Sequence, residues 1–413
     1  MIKDTNTRGQ KISNNEAWDH IFQDLHILDH LTKNPYFDIS ADEIKKRDGK
    51  EARLMTKIDH REHLPKIMAE NNLSILAIKN GLYRIAKTNP FIDIDPEPQS
   101  EPIEIGIPNE ILSIDPLNIK SESEALDIAY LSKMLQQTFK EQTSLTVRGR
   151  LRGELDFSLN NIPYQVDGVQ IEVDGGYEGK DALHLIEAKI GYRNNISIRQ
   201  LLYPTLFWKK QKIAKVKDIK SYIFYYQDNL FRFIPFDENL LCAMHHEEFV
   251  FKFNEKSTFK LKELSPPKQS LINPHAPFPQ ADDFERIHSM FISLSLNQGI
   301  TKNEAMNDFD LVERQYDYYL NVLLWMNLYK LDNNHHIVIT SKGEELLNLG
   351  FKKRLEEFAK IIFSDSICYQ ILQEKNYDTQ DFAKNYNLQS TNTIQRRVQT
   401  IQSWIKYFNK VFD

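Results

Sequence analysis

The chain has 413 residues, a formal net charge of −6 and 41% hydrophobic residues, enough apolar content for buried cores spread over about two to four domains. Its two cysteines, Cys242 and Cys368, exclude a disulfide framework and point to a reducing, cytoplasmic setting. No apolar run approaches the roughly 18 residues of a membrane span, the opening MIKDTNTRGQK has no signal-peptide core, and the acidic balance excludes a uniformly basic nucleic-acid binder, so such a partner would need local basic patches.

Residues 1–110 read as an N-terminal α+β region. Helical stretches are expected at Asn15–Leu31 and Ser40–Lys46. Glu51–Ala86 then reads as strand, helix, strand, and it closes on a hairpin of Leu73–Ile78 and Leu82–Ile85 around Lys79-Asn80-Gly81, where Asn-Gly is a turn signal. The proline- and acid-rich segment Asp93–Pro116 predicts an extended linker.

Residues 117–265 form the second part. Ser121–Lys140 is expected to be a helix, with Ser121 or Ser123 as its N-cap and Glu124 near the first turn. In the extended stretch Val147–Phe157, Arg148, Arg150 and Arg152 alternate, so they project together as a phosphate clamp or as a solvated basic edge. The densest chemistry follows in QIEVDGGYEGKDALHLIEAK, Gln170–Lys189. Val169–Asp174 alternates apolar and polar, Gly175-Gly176 is expected to break the strand, Tyr177–Asp181 reads as turn, and Ala182–Ile190 returns as a strand. Alternation sends Leu183, Leu185, Glu187 and Lys189 to one face and His184, Ile186, Ala188 and Ile190 to the other. An acid and a lysine on an otherwise apolar strand are costly to bury unless partnered. A divalent cation and a phosphate would supply that partner. The 13-residue spacing (187 − 174) suits two carboxylates at one level of neighbouring strands, and Mg²⁺ is often held by only one or two carboxylates together with substrate phosphate.

Asp174…Glu187-Ala188-Lys189 resembles the PD-(D/E)XK nuclease core found in many type II restriction endonucleases, with Val173 in place of the usual proline before the first acid. A helix expected from Ile198-Arg199-Gln200-Leu201-Leu202-Tyr203-Pro204 extends the likeness, because such nucleases often carry a supporting Gln after the lysine strand. The resemblance implies a restriction-endonuclease-like α/β (α+β) core with a mixed central sheet. It implies Asp174 and Glu187 as Mg²⁺ ligands (with Mn²⁺ able to substitute), Lys189 beside the attacking water and Gln200 as support. It also implies an extra acid from the first helix or the preceding strand. Glu122, Glu124, Glu154 and Asp156 are the candidates, with a slight preference for Glu154. The implied partners are double-stranded DNA, a second copy of the chain and a separate cognate methyltransferase in the host, with no membrane. Arg53, Lys57 and Arg61 in the N-terminal part are further candidates for DNA contact.

Residues 280–348 resemble a winged-helix unit. Helices are expected at Ala281–Asn297, Lys302–Phe309 and Leu311–Asn327, followed by a hairpin of Leu328–Leu331 and His336–Thr340 as the wing. The resemblance places Glu313, Arg314, Gln315 and Asp317 on the exposed start of the third helix, where Arg and Gln read guanine and adenine edges. Residues 349–413 repeat the theme as a second winged-helix or helix-turn-helix domain, with helices at Lys352–Phe363, Ser366–Lys375, Asp378–Tyr386 and Ser390–Phe408. Ile394, Val398, Ile401 and Ile405 form its packed stripe, and Ser390, Thr391, Arg396 and Arg397 are candidates for DNA contact.

Other signals are weaker. Cys242, His245 and His246 have no matching cluster elsewhere for tetrahedral zinc, no phosphate-binding GxxxxGK[ST] loop is present, and the Asn-Pro pairs at Asn34 and Asn89 lack the rest of an amino-methyltransferase motif. The expectation is therefore a site-specific endonuclease. A modification-dependent nuclease and an inactive DNA-binding regulator are the alternatives.

Overall fold

The computed structural model describes residues 13–48, 51–108, 111, 113–191, 193–254, 257–266, 268–296, 313–373 and 379–412. Its frame is a mixed sheet of 11 strands. The strands in chain order are β1 (Tyr36–Ser40), β2 (Ser74–Lys79), β3 (Leu82–Ala86), β4 (Phe91–Asp93), β5 (Ile103–Ile105), β6 (Ser144–Leu159), β7 (Ile162–Glu178), β8 (Ala182–Ile190), β9 (Asn195–Ser197), β10 (Asp218–Gln227), β11 (Leu230–Asp237), β12 (Cys242–Ala243) and β13 (Phe249–Phe253). The spatial order is β1-β3-β2-β7-β8-β10-β11-β13-β5, with β6 paired to β7 and β12 to β11, while β4 and β9 form a separate pair. β8 runs parallel to β10 and antiparallel to β7.

β8 lies inside this sheet with both faces covered, and all of it is buried except its last residue. One face packs under helix Arg199–Lys209, whose Leu201, Leu202 and Tyr203 join Ile171, Ile223 and Ile234 in one core. On the same side Leu183 and Leu185 pack with Val173 and Ile219. The other face carries helices Glu122–Leu131 and Met134–Phe139 over Ile186, Ala188, Phe224 and Phe233. Ser121 caps the first of these helices, its hydroxyl accepting from the Glu124 amide at 3.2 Å. The expected single helix Ser121–Lys140 is two, because Lys133 takes a left-handed φ of 60° between them.

Several expectations change. β7 runs straight through Gly175-Gly176, and the chain turns only after Glu178. Gly176 serves close approach instead: a Cβ there would stand 2.6 Å from the Val147 Cβ on β6. The segment 93–116 is not a free linker, since β5 within it pairs in parallel with β13 at the sheet edge. The N-terminal region does not stand apart either. Its β1-β3-β2 unit joins the sheet beside β7, and Ala52–Thr56 is a short helix, not a strand. The hairpin at Asn80-Gly81 is present, with Gly81 at φ 75°.

The C-terminal residues contain helices Phe284–Leu296, Glu313–Trp325, Ser341–Leu347, Phe351–Ile362, Ser366–Leu372, Thr379–Tyr386 and Thr391–Phe412, with a hairpin of Tyr329–Leu331 and Ile337–Ile339. The expected helix Lys302–Phe309 lies outside the described residues. The parts that the sequence divides at 348/349 share one core, in which Phe284 and Trp325 both contact Trp404 at ring-centroid separations of 5.6 and 6.4 Å. That core docks on the sheet through Arg354, which is buried. Arg354 Nη2 donates to Asn118 Oδ1 at 2.7 Å, Nη1 meets His288 Nε2 at 3.2 Å, and His288 Nδ1 meets Asp228 Oδ1 at 3.2 Å.

Candidate active site

The β7–β8 register pairs Gly175 with Ile186. One residue further on, Asp174 faces the Glu187 level, and there the ladder ends. In place of a backbone bond, Asp174 Oδ2 accepts from the Ala188 amide at 2.8 Å. β7 is meanwhile paired to β6 on its other side, and Arg148 Nε donates to the Asp174 carbonyl at 3.0 Å. The first acid is thus held where two strands part.

Glu187 and Lys189 project to the same face of β8. Lys189 Nζ donates to Glu187 Oε1 at 2.5 Å and to the Ala188 carbonyl at 2.9 Å. Gln200, in the first turn of helix Arg199–Lys209, donates through Nε2 to that same Glu187 Oε1 at 2.5 Å. Its own Oε1 is buried without a hydrogen-bond partner. Glu122, at the start of its helix, reaches to 4.0 Å from Lys189 Nζ and is half-exposed. A small cleft lined by Glu172, Glu187 and Gln200 opens at this point.

The electrostatics follow from this crowding. Burial pushes the Glu187 carboxyl well up, and the like charges of Asp174 and Glu122 add to that while Lys189 opposes it. Burial by itself would lower Lys189, but Glu187, Glu122 and Asp174 outweigh it and hold the ammonium firmly charged. Glu122 is raised by burial first, with Asp174 and Glu172 adding to it and Lys189 and Arg193 opposing. Asp174, Glu187 and Glu122 therefore crowd around a single lysine, which does not fully offset the burial and mutual repulsion that raise Glu187 and Glu122. Among the described residues no three carboxylate, His or Cys side chains stand together as a ready-made metal cage. The donor set instead matches a hard cation held by two carboxylates with its other positions open, and the orphaned Gln200 oxygen is a further hard donor.

The structure brings together Asp174, Glu187, Lys189 and Gln200 and leaves Glu154 out. Glu154 is exposed and pairs with Asp167, seven residues before Asp174 on β7. At about 3.3 Å per strand residue that is roughly 23 Å away. The slight preference for Glu154 is corrected in favour of Glu122. Register decides it: β6 runs antiparallel to β7 from Ser144 opposite Glu178 to Leu159 opposite Ile162, which puts Glu154 and Asp156 toward the far end of β7. Arg150 is ion-paired to Glu172 at 3.4 Å, Arg148 faces Asp127 at 3.6 Å, and Arg152 is exposed on the same strand edge. Arg53 is exposed, Lys57 pairs with Asp59 at 3.4 Å, and Arg61 pairs with Asp93 at 2.7 Å. Arg314, Gln315, Ser390, Thr391 and Arg396 are exposed at the starts of their helices, and Arg397 is half-buried.

Sequence reasoning missed the supports around Gln200. Arg199 bonds to Asp59, which burial would raise but Arg199 draws down. Asn195 Nδ2 donates to Glu62 at 2.9 Å. Both contacts tie the N-terminal region to the start of the Gln200 helix across more than a hundred residues of chain, and no local pattern signals them.

Residues 15–85 match the family model of a domain of unknown function (DUF6996), residues 86–241 that of a second (DUF6997), and residues 286–413 that of a third (DUF7226). The candidate site falls in the second, and most of the shared C-terminal core falls in the third. No curated protein and no solved structure matches the chain. No helix among the described residues is long and apolar enough to cross a membrane.

Proposed function

We propose that the chain is a metal-dependent endonuclease that hydrolyses phosphodiesters in double-stranded DNA, of the type II restriction kind, with a PD-(D/E)XK core. The observation that carries this reading is the buried Gln200–Glu187–Lys189 hydrogen-bonded set beside Asp174, at the point where β7 and β8 part. Ionised groups on so apolar a strand cost several kcal/mol unless they are paired and hydrogen-bonded.

Asp174 and Glu187 would hold Mg²⁺ or Mn²⁺, with Glu122 as the third acid. A cation held there would polarise the scissile phosphate and lower the pKa of an attacking water. Lys189, kept charged by its three acidic neighbours, orients the nucleophile and offsets negative charge that builds at phosphorus. Gln200 helps to fix the Glu187 carboxylate, whose Oε1 is shared with Lys189. A double-strand cut at a symmetric sequence calls for two such sites, so the active form is a homodimer. A cognate methyltransferase would protect the host, and the chain works in the cytoplasm.

The test is digestion of plasmid and phage DNA with Mg²⁺ or Mn²⁺ by the native chain, Lys189→Ala and Asp174→Asn. The native protein should cut and EDTA should stop it, with each variant slower by about 100-fold or more. Equal cleavage by Lys189→Ala would end the assignment of this site. Cutting of methylated but not unmethylated plasmid would identify a modification-dependent nuclease. Duplex binding by the native chain without cleavage in either metal would identify an inactive regulator.

A further inference from the structure

We propose that β6 is the surface on which two copies of this chain join, its free edge pairing antiparallel with the same edge of a partner about a twofold axis at Gly153. This goes beyond the nuclease reading and does not rest on it.

β6 is a strand of 16 residues that is hydrogen-bonded to β7 on one side. Among the described residues no strand pairs with its other side, and no backbone group outside β7 bonds to it. A long bare edge is a ready template for another strand, and proteins commonly guard such edges with charge. A row of one sign would repel a second copy. The row on β6 changes sign halfway: Arg150-Leu151-Arg152-Gly153-Glu154-Leu155-Asp156 is opposite in charge and alike in leucine on the two sides of Gly153.

The local geometry keeps these side chains in line. The irregularity beside Gly153 falls on β7, where Val169 faces Gly153 and Asp167 faces Glu154, so Gly168 is the extra residue. β6 itself alternates without a break, and Arg150, Arg152, Glu154 and Asp156 are all exposed. In an antiparallel pair, residues directly opposite share a face and interact. With Gly153 opposite itself, Arg152 meets the partner's Glu154 and Arg150 meets the partner's Asp156, and the symmetry repeats both contacts. An axis at Arg152 or Glu154 would set a charge against its own copy. An axis at Leu151 or Leu155 would set arginine against arginine or acid against acid. Charge therefore selects one register.

The single chain leaves these groups poorly matched. Arg152 and Glu154 have no ion pair among the described residues. Glu154 faces the like charge of Asp167, whose own cation is Lys79 at 3.2 Å. Arg150 with Glu172 and Asp156 with Lys210 are solvent-exposed pairs, of the kind that contributes little and is readily exchanged. On the opposite face the half-buried Phe207 lies against Gly153, where a Cβ would stand 2.6 Å from its ring. A second copy brings its own Phe207 to the same axis, so the two rings cover each other.

The test is sedimentation of the full chain from low to high micromolar concentration, without DNA or metal. It compares the native chain with Glu154→Arg/Asp156→Arg, whose edge is all positive, and Arg150→Glu/Arg152→Glu, whose edge is all negative. The native chain should dimerise, and each variant alone should do so about 10-fold or more weakly. An equal mixture of the two variants should recover the native affinity, which also shows that both are folded. Unchanged dimerisation of the variants would overturn the proposal, as would a mixture no tighter than its components. A native chain that stays monomeric would overturn it too and would leave the edge to a different protein. DNA cleavage is measured separately, so its absence would count against the nuclease reading and leave this result standing.

Discussion

Two ion pairs are buried in the same sheet, and they are built differently. Arg232 on β11 holds Glu248 just ahead of β13, with Nε at 3.0 Å and Nη2 at 2.9 Å from one carboxylate oxygen, while Nη1 donates to the Asp95 carbonyl at 2.7 Å. The other Glu248 oxygen accepts from the Gln99 amide. One cation meets one anion there, and backbone carbonyls of Asp95 and Pro96 take Nη1. On β8, Lys189 and Glu187 also meet directly, but Asp174 and Glu122 press on the same pair and the Gln200 oxygen has no partner. The first pair closes a sheet edge over the segment that carries β5. The second crowds three carboxyls around one lysine, and Glu187 and Glu122 are raised in consequence. The difference teaches that burial of an ion pair alone does not single out a candidate site, whereas several perturbed acids around one cation do.

The largest expected effect tests the structural pair. Arg232→Ala leaves Glu248 buried without its cation and should lower the unfolding free energy by about 3–5 kcal/mol, read as the urea midpoint. A loss under about 1 kcal/mol would mean that the two pairs are not distinguished as argued.

An intermediate effect comes from acid. His60 is buried beside β9, its Nδ1 3.1 Å from the Asn195 carbonyl. Burial and then Arg193 push it down to about 4 from 6.5. A depressed histidine leaves the unfolded chain to take the proton first. Its stabilisation is therefore complete above about pH 6.5 and lost as pH falls toward 4. The buried His288 is shifted in the same direction by burial. The native urea midpoint should fall between pH 7 and 5, and His60→Gln should flatten that fall. Equal slopes in the two proteins would remove His60 from the account.

The smallest effect sharpens the functional side. Glu122→Gln removes one excess negative charge, so stability at pH 7 should hold or rise by under about 1 kcal/mol, while DNA cleavage weakens. A clear drop in the urea midpoint would instead make Glu122 a structural partner of Lys189.

Which of these features could be read in the residues depends on the range of the interaction. The facing of Glu187 and Lys189 was legible because a strand alternates strictly, whatever surrounds it. The Asn80-Gly81 turn was legible because its backbone geometry suits those two residues. Gly175-Gly176 misled, because a glycine that admits a neighbouring strand looks the same in sequence as one that turns the chain. The choice between Glu122 and Glu154 was not legible. It turns on how far along β7 the antiparallel pairing of β6 carries its acids and on where a capped helix docks. The division of the C-terminal residues also failed, because Trp325 and Trp404 declare nothing about each other until they pack.

The amino-acid order alone determined the periodic elements, the acid-acid-lysine spacing and a helix start at Ser121 or Ser123, all of which rest on interactions within a few residues. Only the tertiary structure decided which third acid stands by Lys189, that the N-terminal strands extend the same sheet, and that Trp325 and Trp404 meet in one core. Those outcomes depend on non-local register and core packing, whose energies come from surfaces that meet only once the chain has closed on itself.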